Sequence, residues 1–247
     1  MPFLVALKFL TVIPVPVTVE MSPRRTAQAM MWFPVIGLMI GGILALLDWA
    51  LGLLFPPLVR AGLLLAAWVT LTGALHLDGF LDCCDGLLAT APPEKRLAIL
   101  RDPHAGAYAI VGAVCLLLIK FTLLVELPDA VRITTLLIVP TLGRAAMVYA
   151  VRAFPYARTT PGLGQLFRDG LTWRHVLIAA AIAGVTAGAA MKWMGLVVGF
   201  VVWMLAVGIA SWVRRRIGGL TGDVYGAINE LTEVGGLLCM ILIARYL

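Results

Sequence analysis

Three aspartates stand close together in an otherwise apolar stretch, GALHLDGFLDCCDGLLAT, which covers residues 73 to 90. Asp78, Asp82 and Asp85 have the spacing i, i+4, i+7, which places their side chains on one face of a helix. Carboxylates at such short separations repel one another unless they share a cation. Because oxygen ligands without His or Cys partners select hard ions, the spacing predicts a site for Mg²⁺, Mn²⁺ or Ca²⁺. The alternative is a solvated helix end whose acidic side chains face water.

A second acidic segment lies near the end of the chain, in GGLTGDVYGAINELTEVGG, residues 218 to 236. It carries Asp223, Glu230 and Glu233 among several glycines. A glycine-rich turn that enters a helix suits anion binding at the helix N-terminus, and the acids suit a metal ion or ribose hydroxyls. The segment is therefore predicted to face the first aspartate group.

The loop after the aspartates, PPEKRLAILRDPHAGAYA, carries further polar candidates. Residues 94–100 are predicted to form a short amphipathic helix, followed by a turn at Pro103. Arg101, Asp102 and His104 have the chemistry of a phosphate clamp, a metal ligand and a proton donor or acceptor, respectively. The alternative is an interfacial helix whose Lys and Arg side chains reach the lipid headgroups.

Three other ionisable residues fall within or beside apolar runs. His76 lies about 200° around a helix from Asp78, so we expect it to support the aspartate face from outside. Arg144 lies inside the fourth apolar run, where it either reaches the headgroups or binds a phosphate with both guanidinium arms. No role follows from the sequence for Lys120.

The composition that surrounds these residues is that of a membrane protein. The chain is 62% hydrophobic and 13% charged, with a mean hydropathy of +1.00. Runs close to the roughly 20 residues that cross a bilayer predict six or seven transmembrane helices in an all-α, polytopic bundle, with residues 1–247 as one catalytic domain. The runs are 30–55, 58–75, 107–127, 131–151, 176–191, 194–213 and 234–247.

Charge gives the predicted bundle an orientation. Basic residues gather before the first run and after the second, fourth and sixth, which makes this face cytoplasmic by the positive-inside rule. Most of the 13 acidic residues fall on the same face, where orientation alone does not require them. The basic residues form no single patch, so nucleic acid is not an expected partner, and the four cysteines lack metal-ligand spacing. The apolar run at residues 3–17, interrupted by Lys8 and Pro14, predicts an interfacial helix and not a signal peptide.

The first motif carries a resemblance to a known family. HLDGFLDCCDG resembles the His-x-Asp-Gly-x-x-Asp-x-x-Asp-Gly motif of the cobalamin 5'-phosphate synthase family, also called adenosylcobinamide-GDP ribazoletransferase. The similarity extends in order over FLTVIPVP, FPVIGLMIGG, KRLAILRDPHAGAYA, Lys120, Arg144 and TGDVYGAINELTE. It therefore covers nearly the whole chain. The proline and histidine of RDPHAG differ from the residues of many relatives. The resemblance therefore supports a site role for His104 less than for Asp102 or Gly106.

The resemblance implies a specific reaction. The family consists of integral membrane enzymes that join adenosylcobinamide-GDP to α-ribazole or its 5'-phosphate and release GMP, with Mg²⁺, in the last assembly stage of the cobalamin nucleotide loop. By resemblance, Asp78, Asp82 and Asp85 would hold Mg²⁺ on the diphosphate while the ribose 3'-hydroxyl of ribazole attacks the phosphorus attached to cobinamide. The implied location is the inner, cytoplasmic membrane, with the active site on the cytoplasmic side. The implied substrate-binding residues are His76, Arg101, Asp102, Gly106, Arg144, Asp223, Glu230 and Glu233.

Two other functions are compatible with acidic residues in a membrane. A CDP-alcohol type of phosphotransferase would carry Asp-Gly-x-x-Ala-Arg, and Asp78-Gly79-Phe80-Leu81-Asp82 lacks that Ala-Arg pair. A transporter would place its carboxylates near the membrane midplane and show inverted repeats, neither of which the sequence indicates. Self-association and association with other cobamide-assembly enzymes are left open, as is the identity of the base.

Overall fold

The computed structural model of the protein describes residues 2–15, 22–158 and 162–246. Throughout these ranges the chain forms helices and connections, and a single isolated bridge between Tyr156 and Leu220 takes the place of any sheet. The predicted all-α class is confirmed. The helices are α1 (Pro2–Leu10), α2 (Pro23–Met30), α3 (Phe33–Gly52), α4 (Pro57–Leu71), α5 (Leu75–Leu88), α6 (Pro93–Ile99), α7 (Ala107–Glu126), α8 (Asp129–Ala153), α9 (Leu163–Arg168), α10 (Trp173–Ile217) and α11 (Gly222–Ala244).

Five of these helices are long and apolar enough to cross a bilayer, namely α3, α7, α8, α10 and α11. Large apolar side chains such as Trp49, Val111, Val185 and Phe200 are exposed on their outer faces. Exposed apolar surface of this extent is costly in water and expected in lipid. The predicted polytopic helix bundle is therefore confirmed.

Helix α10 is a hairpin of two limbs. Its backbone leaves helical geometry at Met191 and Lys192, and a Cβ atom on Gly195 would lie 2.0 Å from the carbonyl oxygen of Ala187. Residues eight positions apart in a straight helix are separated by about 12 Å, so the two limbs must run back along each other. Counting the two limbs of α10 separately gives six spans, with α3, α7, α8 and α11. The bent pair of α4 and α5 is a candidate for the seventh, which agrees with the predicted six or seven.

The second predicted span is broken before it reaches the aspartates. Helices α4 and α5 meet at an angle of 90°, and the bend lies at Gly73 and Ala74, whose φ angles are +60° and +55°. Glycine adopts this left-handed conformation without steric cost, whereas alanine does so with strain. The prediction that Asp78, Asp82 and Asp85 share one helix is confirmed. That helix starts at the bend and is not a straight continuation of α4.

Helix α8 forms the centre of the bundle and is the most buried of the candidate spans. Gly37 and Gly41 of α3 lie directly on its backbone, since added Cβ atoms would come within 2.5 Å of the carbonyl oxygen of Pro140 and 2.3 Å of that of Leu136. Small residues allow such close approach of helices in membranes. A rigid central helix thus connects the two ends of the molecule.

The end at which α8 begins carries an ion-pair cluster. Arg132 binds Asp48 with both guanidinium arms, at 2.8 and 3.0 Å, and Arg60 also pairs with Asp48 and lies 3.5 Å from Asp129. The opposite end of α8, at Met147 and Val151, lines a cavity. The cavity and the Asp48 cluster therefore lie at opposite ends of the bundle.

Short helices complete the fold. The predicted amphipathic helix is confirmed as α6, and most of the apolar N-terminal run forms α1, whose Ala6 and Leu10 are fully buried. Positions 16–17 of that run lie outside the described residues. The connection between α8 and α10 contains α9, and its positions 159–161 are likewise outside the described residues.

Candidate active site

A cavity of about 300 Å³ lies where α5, α8 and α11 meet the N-terminal helices. Part of its wall is charged and part is aromatic, a combination that suits a ligand with both an anionic and an apolar portion. Its lining residues are Phe9, Met30, Phe33, Leu75, His76, Asp78, Gly79, Met147, Val151, Tyr156, Arg158, Gly164, Phe167, Gly222, Asp223, Tyr225 and Gly226.

Two glycines bring the two acidic segments together. A Cβ atom on Gly79 of α5 would lie 2.7 Å from the carbonyl oxygen of Asp223 in α11, and one on Gly226 of α11 would lie 3.0 Å from that of His76. The helices therefore touch backbone to backbone at two reciprocal points. The predicted juxtaposition of the HLDGFLDCCDG and TGDVYGAINELTE segments is confirmed, with Asp78 and Asp223 in one cavity wall.

Asp223 is held by a neighbouring arginine. The guanidinium of Arg158 donates to the Asp223 carboxylate at 2.7 Å and to the carbonyl oxygen of Leu100 at 3.1 Å. The hydroxyl of Thr221 also donates to Asp223, at 3.1 Å. A cation fixed at the cavity wall in this way is ready to pair with an anionic ligand such as a phosphate.

Asp78 and Asp82 differ from Asp85 and Asp223, whose carboxylates are held by protein donors. Within the described ranges, neither carboxylate makes a hydrogen bond or ion pair, although Asp82 lies in the electrostatic field of Asp223, Asp78, Arg158 and Asp85. Free carboxylate oxygens are the donor type that Mg²⁺ selects, so the chemistry of the donors fits this ion. In the part of the chain that the structure describes, however, no three His, Cys, Asp or Glu side chains converge on one point.

Asp85 has a structural contact that the sequence did not reveal. Its carboxylate accepts the backbone N–H groups of Gly106 at 2.6 Å and Ala109 at 2.9 Å. It therefore caps the N-terminus of α7, where such a bond stabilises a helix by about 1 kcal/mol. Gly106 is required at this position, because a Cβ atom would lie 2.8 Å from the Asp85 carboxylate. The predicted metal and catalytic role of Asp85, and substrate binding by Gly106, stay predictions.

Behind the cavity lies a buried ionic network. The ammonium of Lys120 contacts Glu230 at 2.5 Å and Glu233 at 2.6 Å, and Glu233 also pairs with Arg144 and accepts the Asn229 amide at 3.0 Å. Arg144 and Glu233 are fully buried. None of the three residues Arg144, Glu230 and Glu233 lines the cavity, so their contact with a substrate stays a prediction, and the network gives Lys120 the partner that the sequence left unassigned.

His76 was expected to lie away from the aspartate face, but it lines the same cavity as Asp78. His76 is 3% exposed, and both of its ring nitrogens lack a partner within the described ranges. The Tyr225 hydroxyl and the Arg158 Nε are also buried and also lack a hydrogen-bond partner within the described ranges. Unsatisfied groups of this kind require a ligand or water.

The predicted polar turn lies at the edge of the site and not in the cavity wall. Arg101, Asp102 and His104 are exposed, and the His104 ring lies 2.7 Å from the Asp102 carboxylate. The hydrogen bonds from His104 lower the pKa of Asp102. The turn is linked to the site through Leu100, whose carbonyl accepts from Arg158.

Sequence reasoning missed Arg158 as a site residue, together with the aromatic wall. Arg158 was counted only as one of the basic residues that orient the bundle. The sequence gives little indication that Arg158 belongs to a site, because single arginines are common in cytoplasmic loops. The neighbouring Tyr156 and Phe167 also carried no spacing that distinguishes a cavity wall from a connection.

Comparisons with known proteins agree with this arrangement. The sequence profile described as Cobalamin-5-phosphate synthase matches residues 2–241. Curated relatives named adenosylcobinamide-GDP ribazoletransferase include that of Roseiflexus sp. (strain RS-1), which is 38% identical over 97% of this chain and 88% of its own. That of Stutzerimonas stutzeri (strain A1501) is 37% identical over 96% of each chain. That of Thermoanaerobacter pseudethanolicus is 32% identical over 96% of this chain and 95% of its own.

No solved structure matches this chain. The match to the sequence profile nonetheless spans both acidic segments, the cavity wall and the buried network. Neither the CDP-alcohol type of phosphotransferase nor a transporter is among the matches described above. The chain belongs to the cobalamin-5-phosphate synthase family.

Proposed function

We propose that this protein is an adenosylcobinamide-GDP ribazoletransferase, which joins adenosylcobinamide-GDP to α-ribazole or its 5'-phosphate and releases GMP. The observation that carries the proposal is the match of nearly the whole chain to the family together with the unpaired carboxylate of Asp78 and the Arg158–Asp223 pair in the wall of one cavity. This reaction completes the assembly of the cobalamin nucleotide loop.

The chemistry is a substitution at phosphorus. An oxygen of the ribose forms a bond to the phosphorus attached to cobinamide, the bond from that phosphorus to the bridging oxygen breaks, and GMP leaves. The proton of the attacking hydroxyl passes to a carboxylate, for which Asp78 and Asp82 are the candidates because neither is neutralised by a protein cation. Arg158 lies in the cavity wall, where it can balance the negative charge of a bound phosphate.

We further propose that the reaction requires Mg²⁺, with Asp78 and Asp82 as ligands and Asp85 and Asp223 beside them. When bound, the ion would neutralise the diphosphate and the departing GMP. The support is the donor chemistry of two unpaired carboxylates. Asp223 contributes by its position on the facing helix, at the contact with Gly79.

The proposed location is the inner membrane, with the cavity on the cytoplasmic side. The distribution of basic residues supports this orientation by the positive-inside rule. Self-association and contacts with other cobamide-assembly enzymes stay open predictions.

The direct test measures GMP. Purified protein in detergent receives adenosylcobinamide-GDP and α-ribazole phosphate, with Mg²⁺ or with a chelator, and GMP is quantified by mass spectrometry. Metal-dependent release of GMP is expected. Folded protein that releases no GMP under any of these conditions would overturn the proposed function, whereas release that persists in the chelator would overturn only the metal requirement.

A matched pair of variants tests the site. Asp82→Asn removes a charge without changing size, and we expect turnover to fall at least about 100-fold, as is typical when a charged group acts in the transition state. Asp129→Asn makes the same change at the opposite end of the bundle, where the side chain is 88% exposed, and should leave turnover unchanged. Near-normal turnover of Asp82→Asn would refute its catalytic role.

A further inference from the structure

The aromatic part of the cavity wall has no role in the chemistry proposed above. The rings of Phe9, Phe33 and Phe167 contact one another, with centroids 4.6 Å apart for Phe9 and Phe167, 5.8 Å for Phe33 and Phe167 and 6.0 Å for Phe9 and Phe33. They come from α3 and from two short helices, α1 and α9. All three rings line the cavity that also contains Asp78 and Arg158. Phe9 is partly exposed, whereas Phe33 and Phe167 are 1% and 4% exposed. Phe9 therefore presents most of the ring surface that a flat ligand can reach, and the other two rings support it.

The size of the cavity limits which part of the substrates it can hold. Its volume of about 300 Å³ is at the lower end of small-molecule pockets, which span roughly 300–1,000 Å³. A corrin macrocycle with its side chains is far larger than this space. The cavity therefore suits a nucleoside or nucleotide, which leaves the acceptor riboside and the GDP portion of the donor as the two possible occupants.

The chemistry of the aromatic wall distinguishes these two occupants. Guanine has hydrogen-bonding groups along most of its edge, and burying them against rings without polar partners is unfavourable. The base of α-ribazole is a dimethylated benzimidazole, a flat bicycle whose outer edge is apolar. Phe9, Phe33 and Phe167 offer no hydrogen-bonding atoms, so they match the benzimidazole and not guanine.

The polar part of the wall matches the rest of a riboside. His76, Tyr225 and Arg158 each have buried polar atoms that lack partners within the described ranges, and His76 is only 3% exposed. Ribose hydroxyls and a 5'-phosphate would supply hydrogen-bond partners for such groups. A hydroxyl in this part of the cavity also lies beside Asp78, one of the two proposed proton acceptors.

We propose that this cavity is the acceptor site, in which Phe9, Phe33 and Phe167 bind the apolar base of the riboside while His76, Tyr225 and Arg158 bind its sugar and phosphate. The proposal rests on the proposed function and adds the determinant of base selectivity. It assigns the GDP portion of the donor to the far side of Asp78 and Asp82, outside the aromatic wall.

The experiment compares Michaelis constants for the two substrates. Phe167→Leu and Phe9→Leu keep an apolar side chain but remove a ring, and a lost aromatic contact of about 0.5–1.5 kcal/mol corresponds to a rise in KM of roughly two- to tenfold. We expect this rise for α-ribazole phosphate and no change in the KM for adenosylcobinamide-GDP. Phe200→Leu is the matched control, since Phe200 is 59% exposed and lies outside the cavity.

Base selectivity and direct binding complete the test. The ratio of kcat/KM for α-ribazole phosphate to kcat/KM for the α-linked adenine riboside phosphate should be smaller in Phe167→Leu than in the wild type. Equilibrium dialysis with α-ribazole phosphate alone should show a larger Kd for this variant than for the wild type. A KM that rises only for adenosylcobinamide-GDP, rises equally for both substrates or does not rise would overturn the acceptor site. Wild-type release of GMP in the same preparation separates that outcome from failure of the proposed function.

Discussion

At the scale of single residues, two groups of carboxylates differ in their partners. Asp48, Glu230 and Glu233 are buried and paired with cations, whereas Asp78, which lines the cavity, and Asp82, one turn further along α5, have no such partner within the described ranges. Asp78 is exposed and Asp82 is partly buried, so a ligand can reach these carboxylates but not the buried pairs. The contrast supports binding and catalysis at Asp78 and Asp82 and a structural role for the buried pairs.

The sequence predicted the unpaired carboxylates better than the buried ion pairs. Asp78 and Asp82 form a local motif, so their grouping is visible in eleven consecutive residues. Lys120 and Glu230 are 110 positions apart, and Arg158 and Asp223 are 65 positions apart. Such pairs depend on how the helices pack, which no local spacing encodes.

Arg158 gives a prediction at this scale. Arg158→Gln removes the cation from Asp223 and from any phosphate in the cavity, and charged hydrogen bonds are worth about 1.5–3 kcal/mol. We therefore expect kcat/KM for GMP release to fall roughly 10- to 100-fold. Arg174→Gln, at an exposed position of α10, serves as the control in the same steady-state assay. Equal activity of the two variants would show that Arg158 has no part in the site.

At the scale of helices, glycine contacts determine how the site is assembled. The apolar runs predicted the helices because length and hydropathy are properties of each segment. The separate runs 176–191 and 194–213 correctly placed the reversal at Met191 and Lys192. The runs did not reveal the bend at Gly73 and Ala74, since it depends on a few backbone angles. The bend matters for function, because it separates the aspartate helix from α4 and allows its first turn to meet α11.

The contact between α5 and α11 predicts that replacing Gly79 by alanine destabilises the protein, although alanine is the better helix former. Alanine ordinarily stabilises a helix relative to glycine by about 1 kcal/mol. In Gly79→Ala the new Cβ atom would lie 2.7 Å from the carbonyl oxygen of Asp223, so overpacking should cost about 1–3 kcal/mol and displace Asp223. Thermal melting in detergent and GMP release should both decrease. Gly208→Ala, where nothing lies within 4 Å, should melt at the wild-type temperature or above, and a similar result for Gly79→Ala would refute the close contact.

At the scale of the whole molecule, the bundle is held by ionic contacts at two levels. The Asp48 cluster joins α3, α4 and α8 at one end, while the Lys120 network joins α7, α8 and α11 behind the cavity. Separating the partners of a buried ion pair leaves an uncompensated charge, so these contacts oppose displacement of the helices that they join. The Lys120 network therefore holds α11, on which Asp223 depends, against α7 and α8.

The network can be tested by removing its central cation. In Lys120→Met, Glu230 loses its cation, whereas Glu233 keeps Arg144 and Asn229. Loss of one partner from a buried pair costs about 3–5 kcal/mol, so we expect a large decrease in melting temperature. Adding Glu230→Gln to Lys120→Met should restore part of it by removing the unpaired charge. Lys95→Met, at an exposed position, controls for loss of a lysine, and a double variant no more stable than the single one would contradict the network.

The position of the cavity at one end of the bundle makes the orientation of the molecule testable. The positive-inside rule predicts that this end faces the cytoplasm. Asp129 and Arg174 lie at opposite ends of the bundle, near the Asp48 cluster and near Tyr149 and Trp173, respectively. The four native cysteines are first replaced by alanine in a protein that stays active. A single cysteine is then introduced at one of these two positions, and its labelling shows which side of the membrane that position faces. In intact cells, a membrane-impermeant maleimide should label Asp129→Cys and not Arg174→Cys, and disrupted cells should label both. Because both substrates are expected in the cytoplasm, the reverse pattern would contradict the proposed orientation and would place the carboxylates on the wrong side of the membrane for the reaction.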